Sequence, residues 1–209
     1  NTSPIQGRST AVCGMDRDET KLARAVRAET YQNYQLINDI PGWRKGQDKN
    51  VFTLPCVGTA YKKTYFDFEE QVVCSDFRMA DKVIFNFDYD TFEDAPDKFE
   101  PLKLTRNQVI GYIRGEQEWD IAEDELEEDK DTFEFIEAHT WIDLDNDGLK
   151  EPYCAILFEE LNRVVSLYPD YDEDTITFND KGKVVKIRDK EVYTQYIFLP
   201  DPEGGPMGL

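Results

Sequence analysis

The feature that most constrains this chain is a change of hydrophobic period near residue 58. Before it, apolar and aromatic residues recur at helical spacing, from Leu22 and Val26 to Tyr34 and Ile37. After it, they alternate in short runs that Asp, Asn and Gly clusters separate, which is typical of strands joined by turns. The order predicts an α+β fold in which N-terminal helices are followed by a mostly antiparallel sheet region.

The first 58 residues are predicted to be an N-terminal helical segment. Residues 1–15 show no period, and we expect them to be extended. Asp16 and Glu19 have capping-box spacing and predict the start of a first helix, which Pro41-Gly42 ends. A second helix is predicted from Trp43 to about Cys56, where Pro55 should end or kink it.

Residues 59–209 are predicted to form a β-rich domain with one short helix inserted. The runs Thr59–Phe66 and Gln71–Ser75 predict a hairpin, and Lys82–Phe87 a further strand. A second capping box at Thr105–Gln108 predicts a short helix that Gly115 closes. The later predicted strands cover residues 133–142, 152–159, 163–168, 174–178, 183–188 and 192–199.

Charge is strongly negative and unevenly distributed. The net charge is −20. Residues 1–63 carry 10 Lys/Arg against 6 Asp/Glu, and residues 64–209 carry 14 against 38. The acidic surface predicted for residues 64–209 would repel nucleic-acid phosphates and anionic membranes. No apolar run in the sequence is long enough to cross a bilayer. The acidic run at 116–131 predicts a solvated, mobile loop.

Few residues suggest catalysis. Cys13, Cys56, Cys74 and Cys154 form no C-x-x-C pair, so we interpret them as free thiols in a reducing compartment. The one histidine, His139, is expected to be structural because no partner for a catalytic base can be named. We therefore predict that the chain is not an enzyme. A carboxylate-based hydrolase stays open as a weaker alternative, for which no substrate can be named.

The sharpest local motif, Asp143–Gly148, has the D-x-D-x-D-G opening of a calcium loop. The predicted metal ligands are the side chains of Asp143, Asp145, Asp147 and Glu151 and the carbonyl of Leu149. Against calcium, position twelve is Cys154 where a bidentate Glu is wanted, and strands flank the loop. We favour a hairpin turn solvated by Asp and Asn, with a calcium-binding β module centred on 143–151 as the alternative and Ca²⁺ as its cofactor.

Several segments, in this order, resemble the central region of portal (head-tail connector) proteins of tailed bacteriophages of the P22-like kind. The resemblance runs from about residue 16 to the end, and its most specific part is the Leu-Pro-x-x-Gly-Thr-Ala-x-Lys-Lys stretch at 54–63. The segments that carry it are 33–36, 54–67, 81–86, 105–113, 143–153 and 196–200. The acidic run at 116–131 matches least.

The resemblance implies a structural role in a virion, with assembly in the host cytoplasm, from a phage or a prophage. Portal proteins form a ring, usually of about twelve subunits, through which double-stranded DNA passes without sequence-specific binding. Terminase docks on the ring, tail adaptors later replace it, and capsid or scaffold proteins surround it. This chain would be mainly the wing-like part of a longer polypeptide, with no catalytic residues, no cofactor and no membrane partner.

Overall fold

The computed structural model describes residues 19–67, 70–86, 89, 91–115, 117, 119–180, 182–200 and 206–207. The α+β prediction is confirmed, because helices come first and antiparallel sheets follow. The predicted cap at Asp16, the extended stretch 1–15 and Cys13 lie outside the described residues. Two compact units are formed, one from residues within 1–80 and 192–209 and the other from residues within 81–191.

The helices of the first unit are α1 (Glu19–Tyr34), continued by a π turn at Gln35–Asp39, and α2 (Trp43–Val57). The predicted break at Pro41-Gly42 is confirmed, with Gly42 left-handed at φ 74°. Pro55 does not end α2, which continues to Val57. Gly58 ends it instead, at φ 88°, by donating its N–H to the Leu54 carbonyl at 2.8 Å. Pro55 has no N–H to donate, so one backbone hydrogen bond of α2 is lost. The loss is tolerated because Pro55 lies in the last turn, where the helix ends at Val57.

Strands make up most of the remaining chain. Within the described residues they are β1 (Thr59–Asp67), β2 (Val72–Met79), β3 (Ile84–Phe85), β4 (Lys98–Thr105), β5 (Thr132–Ile142), β6 (Glu151–Phe158), β7 (Arg163–Pro169), β8 (Thr177–Phe178), β9 (Val184–Lys186), β10 (Tyr193–Ile197), β11 (Leu199–Pro200) and β12 (Pro206–Met207). The predicted strands 82–87, 174–178 and 183–188 are each shorter than expected: 3-10 helices at Ala80–Lys82 and Glu173–Thr175 cover the start of the first two, and only Val184–Lys186 of the third is strand. Phe87 lies outside the described residues.

The first unit contains a three-stranded antiparallel sheet in the order β10-β1-β2. The predicted hairpin is confirmed, with Thr64 opposite Ser75, although β2 runs on to Met79. The predicted boundary at 58/59 coincides with the switch from α2 to β1. The compact unit, however, groups this sheet with the helices. Among the described residues no helix is long and apolar enough to span a membrane.

The second unit is built on a five-stranded antiparallel sheet in the order β3-β4-β5-β6-β7. On β5, Phe133 and Phe135 face inward with the alternation that the sequence predicts, and they are fully buried. The predicted helix is α3 (Arg106–Arg114), and its capping box between Thr105 and Gln108 is confirmed. The buried core cluster is Val109, Trp119, Ile121, Leu126, Phe133, Phe135, Cys154, Ile156, Phe158 and Val165.

The interpretation of 116–131 as a solvated, mobile loop is wrong for its described part, 117 and 119–131. Trp119, Ile121 and Leu126 are buried in the core cluster. The Arg114 guanidinium donates to both Glu123 oxygens at 2.5 and 2.6 Å, and Arg163 to both Glu125 oxygens at 3.1 and 2.8 Å. Three apolar anchors and two bidentate arginine pairs therefore fix a segment whose acidic composition suggested a loop.

Candidate functional site

The acidic loop at 143–150 joins β5 to β6, so the predicted hairpin turn is confirmed. Asn146 and Gly148 are left-handed, at φ 60° and 92°, which turns the chain back sharply. The Gly148 amide donates to Asp143 Oδ2 at 3.1 Å, and the Leu149 amide to Asp147 Oδ1 at 2.8 Å. The aspartate side chains thus shape the loop by accepting hydrogen bonds from its backbone amides.

The same loop gathers the carboxylates that the sequence singles out. One oxygen each from Asp143, Asp145 and Asp147 lies within 4.8 Å of the others. Burial, followed by the negative charges of these three aspartates, raises the pKa of Glu151 above its ordinary value. Asp143 Oδ1 is a buried atom with no hydrogen-bond partner among the described residues. The structure therefore places the four predicted ligand side chains in one electrostatic environment that a cation would relieve.

A second cluster, which the sequence did not predict as a site, lies on the core face of the five-stranded sheet. We call Glu137, His139, Cys154 and Asp170 the His139 cluster; each is at most 9% exposed. His139 Nδ1 is 2.5 Å from Asp170 Oδ2, and His139 Nε2 is 2.9 Å from Glu137 Oε1. Cys154 Sγ is 4.0 Å from the same Nε2 atom.

The electrostatics of this cluster favour the doubly protonated, positively charged form of the His139 imidazole when no metal is bound. Burial lowers the pKa of His139, but hydrogen bonds to Asp170, Cys154 and Glu137 outweigh it and raise that pKa to about 11. A doubly protonated imidazole can donate to Asp170 with one nitrogen and to Glu137 with the other. When Nε2 has lost its proton and Nδ1 keeps its own toward Asp170, the Nε2 atom, the Glu137 carboxylate and the Cys154 sulfur form a set of nitrogen, oxygen and sulfur ligands.

Strand register explains both why the cluster forms and why sequence reasoning missed it. Glu137 and His139 lie two residues apart on the face that carries Phe135, and β6 places Cys154 directly opposite His139. Asp170, 31 residues beyond His139, follows the end of β7. A charged Glu137 among core-facing positions was the available signal, because such residues are almost never buried unless they are paired.

The two clusters differ in whether they can be found from the sequence alone. The Asp143 loop is contiguous, so its motif is visible along the chain, whereas the His139 cluster exists only once β5, β6 and β7 are paired. Neither a family model nor a curated protein matches this sequence. Function must therefore be inferred from the residues, their geometry and the portal-like order of segments.

Proposed function

We propose that this chain is part of a structural subunit of a viral portal ring, the conduit for genome packaging and ejection and the docking site for terminase and tail adaptors. The observation that carries the proposal is the ordered set of portal-like segments between Asn33 and Pro200. Segments that keep one order over most of a chain are a stronger indication than any single short motif, because chance matches would not share that order.

The most specific of these segments has a structural role in the fold. Residues 54–67 include the end of α2, the left-handed Gly58 and the whole of β1. Thr59 to Lys63 are consecutively buried, and β1 is the central strand of its sheet. The residues of this motif hold the sheet together and are not exposed reactive groups, which supports an assembly role.

Exposed apolar side chains also support an assembly role. Among the residues whose burial is described, six large ones lie on α1 and α2, and Phe52 is 69% exposed. They are Val26, Tyr31, Tyr34, Val51, Phe52 and Val57. Subunit interfaces are enriched in aromatic residues, and a ring would cover such side chains with neighbouring subunits.

The strong negative charge supports a conduit that DNA passes without being gripped. A net charge of −20 repels phosphates over about a Debye length, which is roughly 8 Å at physiological ionic strength. DNA would therefore pass along this surface without binding to it. Motor proteins would have to bind and move the DNA.

Negative-stain electron microscopy of the full-length polypeptide that contains this chain tests the proposal. We expect hollow rings with about twelve-fold symmetry. The double variant Asp145→Asn/Asp147→Asn serves as a matched control, because a portal role does not depend on calcium binding and its rings should persist. Compact monomers without rings across salt and magnesium conditions would contradict the proposal.

Calcium binding by the Asp143 loop is the second candidate function. The observation that favours it is the convergence of one oxygen each from Asp143, Asp145 and Asp147, together with a buried Asp143 Oδ1 that has no hydrogen-bond partner among the described residues. A ligand that binds only the folded state at 100 times its Kd stabilises a protein by about 2.7 kcal/mol. We expect calcium to raise the melting temperature of this chain and EDTA to reverse the rise. An equal rise in the Asp145→Asn/Asp147→Asn variant would exclude this loop as the binding site.

A further inference from the structure

We propose that Glu137, His139 and Cys154 form a zinc-binding site and that Asp170 orients the imidazole ligand. The three ligand atoms are Glu137 Oε1, His139 Nε2 and Cys154 Sγ, and all lie within 4.8 Å of one another. This site is separate from the Asp143 loop and does not depend on the portal proposal. It uses sulfur and nitrogen ligands, whereas the loop offers oxygen alone.

The sheet holds the three ligands in place. Glu137 and His139 project from the same face of β5, and Cys154 is the direct cross-strand partner of His139 on β6. Both strands are interior to the five-stranded sheet, so hydrogen-bonded neighbours fix their backbones on each side. Ligands on paired central strands are held more exactly than ligands on a loop, which favours a defined coordination geometry.

The distances between the ligand atoms lie close to the range of a tetrahedral zinc site, one just below it and one just above it. Zinc binds nitrogen and oxygen at about 2.0–2.2 Å and sulfur at about 2.3 Å, so neighbouring ligands of a tetrahedron lie roughly 3.3–3.8 Å apart. His139 Nε2 is 2.9 Å from Glu137 Oε1 and 4.0 Å from Cys154 Sγ. Small side-chain rotations would bring both separations into range. Water can take the fourth position, as in zinc sites with three protein ligands.

Asp170 supplies the partner that a metal-bound histidine usually has. Its Oδ2 atom accepts from His139 Nδ1, which leaves Nε2 directed toward Glu137 and Cys154. The Asp170 backbone is fixed, since its amide donates to Pro152 at 3.0 Å and its carbonyl accepts from Lys190 at 2.9 Å. A carboxylate that orients the distal nitrogen is the common outer-shell arrangement around zinc-bound histidine.

The charge of the buried face also favours a cation. Glu100 on β4 is 3% exposed and is the cross-strand partner of Glu137. Glu137 and Asp170 are two further buried carboxylates and both contact the His139 ring, whereas Lys98 is the cross-strand partner of His139 on β4. Zinc would add two positive charges, and the Cys154 thiol would lose its proton to become a ligand. Buried charges are retained when they are paired or coordinate a metal.

Cobalt substitution gives a direct test, because a thiolate–Co²⁺ bond absorbs in the near ultraviolet and tetrahedral Co²⁺ in the visible. The assay uses the whole chain in the Asp145→Asn/Asp147→Asn background, which removes two of the three aspartate charges of the loop and so weakens cation binding there. We expect both absorption bands at one equivalent of Co²⁺ and their loss when zinc is added. Cys74→Ser, at a partly buried cysteine outside the cluster, is the matched control and should keep both bands.

Variants of the cluster complete the test. Cys154→Ser should remove the near-ultraviolet band, and Asp170→Asn should weaken zinc binding by about 10- to 100-fold. If Cys154→Ser fails to fold, iodoacetamide labelling of the unaltered protein replaces it, and zinc should slow the labelling of Cys154. Absence of a thiolate band in the unaltered cluster would overturn the proposal. Zinc affinity unchanged by both Asp170→Asn and Glu137→Gln would also overturn it, since the ion would then bind elsewhere.

Discussion

Lys62 carries its ammonium in an environment that is unfavourable to charge. The side chain is 3% exposed, and its ammonium has no hydrogen-bond partner among the described residues. Its nearest described stabilising contact is the Trp43 ring, whose centroid is 5.1 Å away. Burial lowers the pKa of Lys62 to about 8, although the charge of Asp76 opposes the shift. The fold therefore holds an ammonium at this position at a cost in stability.

We predict that Lys62→Met stabilises the protein. Methionine keeps the length and apolar contacts of the side chain and removes the buried charge, which should outweigh the lost cation–π contact. Because the charge of Asp76 and the Trp43 ring offset part of the burial penalty, the expected gain at pH 7 is about 1 kcal/mol. Chemical denaturation measures it. Lys63→Met is the matched control and should give no gain, since the Lys63 ammonium lies 5.6 Å from the Tyr193 ring and has further partners.

The pH dependence of the same residue gives an independent check. The folded-state pKa of Lys62 is lower than its unfolded value of 10.5, so between about pH 8 and 10.5 the unfolded chain binds more protons. The contribution of Lys62 to stability therefore improves as pH rises through that window. Comparison of unaltered protein with Lys62→Met should show their free energies of unfolding converging from pH 8 to 10.5. A constant difference would show that Lys62 titrates normally.

At the scale of elements, the acidic segment after α3 is held by few but large contacts. The Trp119 ring stacks on Tyr112 with centroids 4.6 Å apart and lies 5.1 Å from Phe135. The Asp120 amide donates to the Val165 carbonyl at 2.7 Å, which ties the segment to β7. These contacts make the segment part of the hydrophobic core despite its charge.

We predict that Trp119→Ala destabilises the protein by about 3–5 kcal/mol, because it leaves a large cavity between α3 and β5. Urea denaturation followed by far-ultraviolet circular dichroism measures the change. Asp124→Ala, at an exposed position of the same segment, should stay within about 0.5 kcal/mol of the unaltered protein. If Trp119→Ala were as mild as Asp124→Ala, the segment would be a solvated loop after all.

Local signals account for the elements that the sequence predicted correctly. The Thr105–Gln108 capping box, Gly58 and the alternation along β5 each act within a few residues, so they can be found along the chain. β4 was not predicted because Pro101 and four charged or polar positions hide its period, yet pairing with β3 and β5 holds it. Propensity is a weak signal where tertiary contacts on both sides decide the outcome.

The candidate sites show the same difference between features set by neighbouring residues and features set by tertiary contacts. The Asp143 loop was predicted because its ligands lie within nine residues, and its three aspartates do come together. The His139 cluster was not predicted because Glu137, Cys154 and Asp170 meet only through the pairing of three strands. Trp119 was missed for a similar reason, since one aromatic residue among acidic neighbours has no period.

For the whole molecule, the position of the buried core along the chain indicates which stretch can fold alone. The members of the buried core cluster, and the partly buried residues packed against it, all lie between Leu102 and Val165. They fall inside the unit formed from residues within 81–191, as does the entire five-stranded sheet. The other unit draws on two distant stretches, because β10 pairs with β1. One unit is therefore continuous in sequence, and the other closes only after residue 192 is reached.

We predict that residues 81–191 fold cooperatively when they are expressed alone, because a continuous stretch with its own sheet and core meets the requirements of a domain. The readouts are a sigmoidal urea transition and a near-ultraviolet circular dichroism signal from Trp119 and Trp141. Trp119→Ala should destabilise the isolated stretch by the same free energy as in the full chain, since its contacts Tyr112 and Phe135 are present in both. A compact species without a near-ultraviolet signal or a cooperative transition would show that the core needs the rest of the chain to pack uniquely.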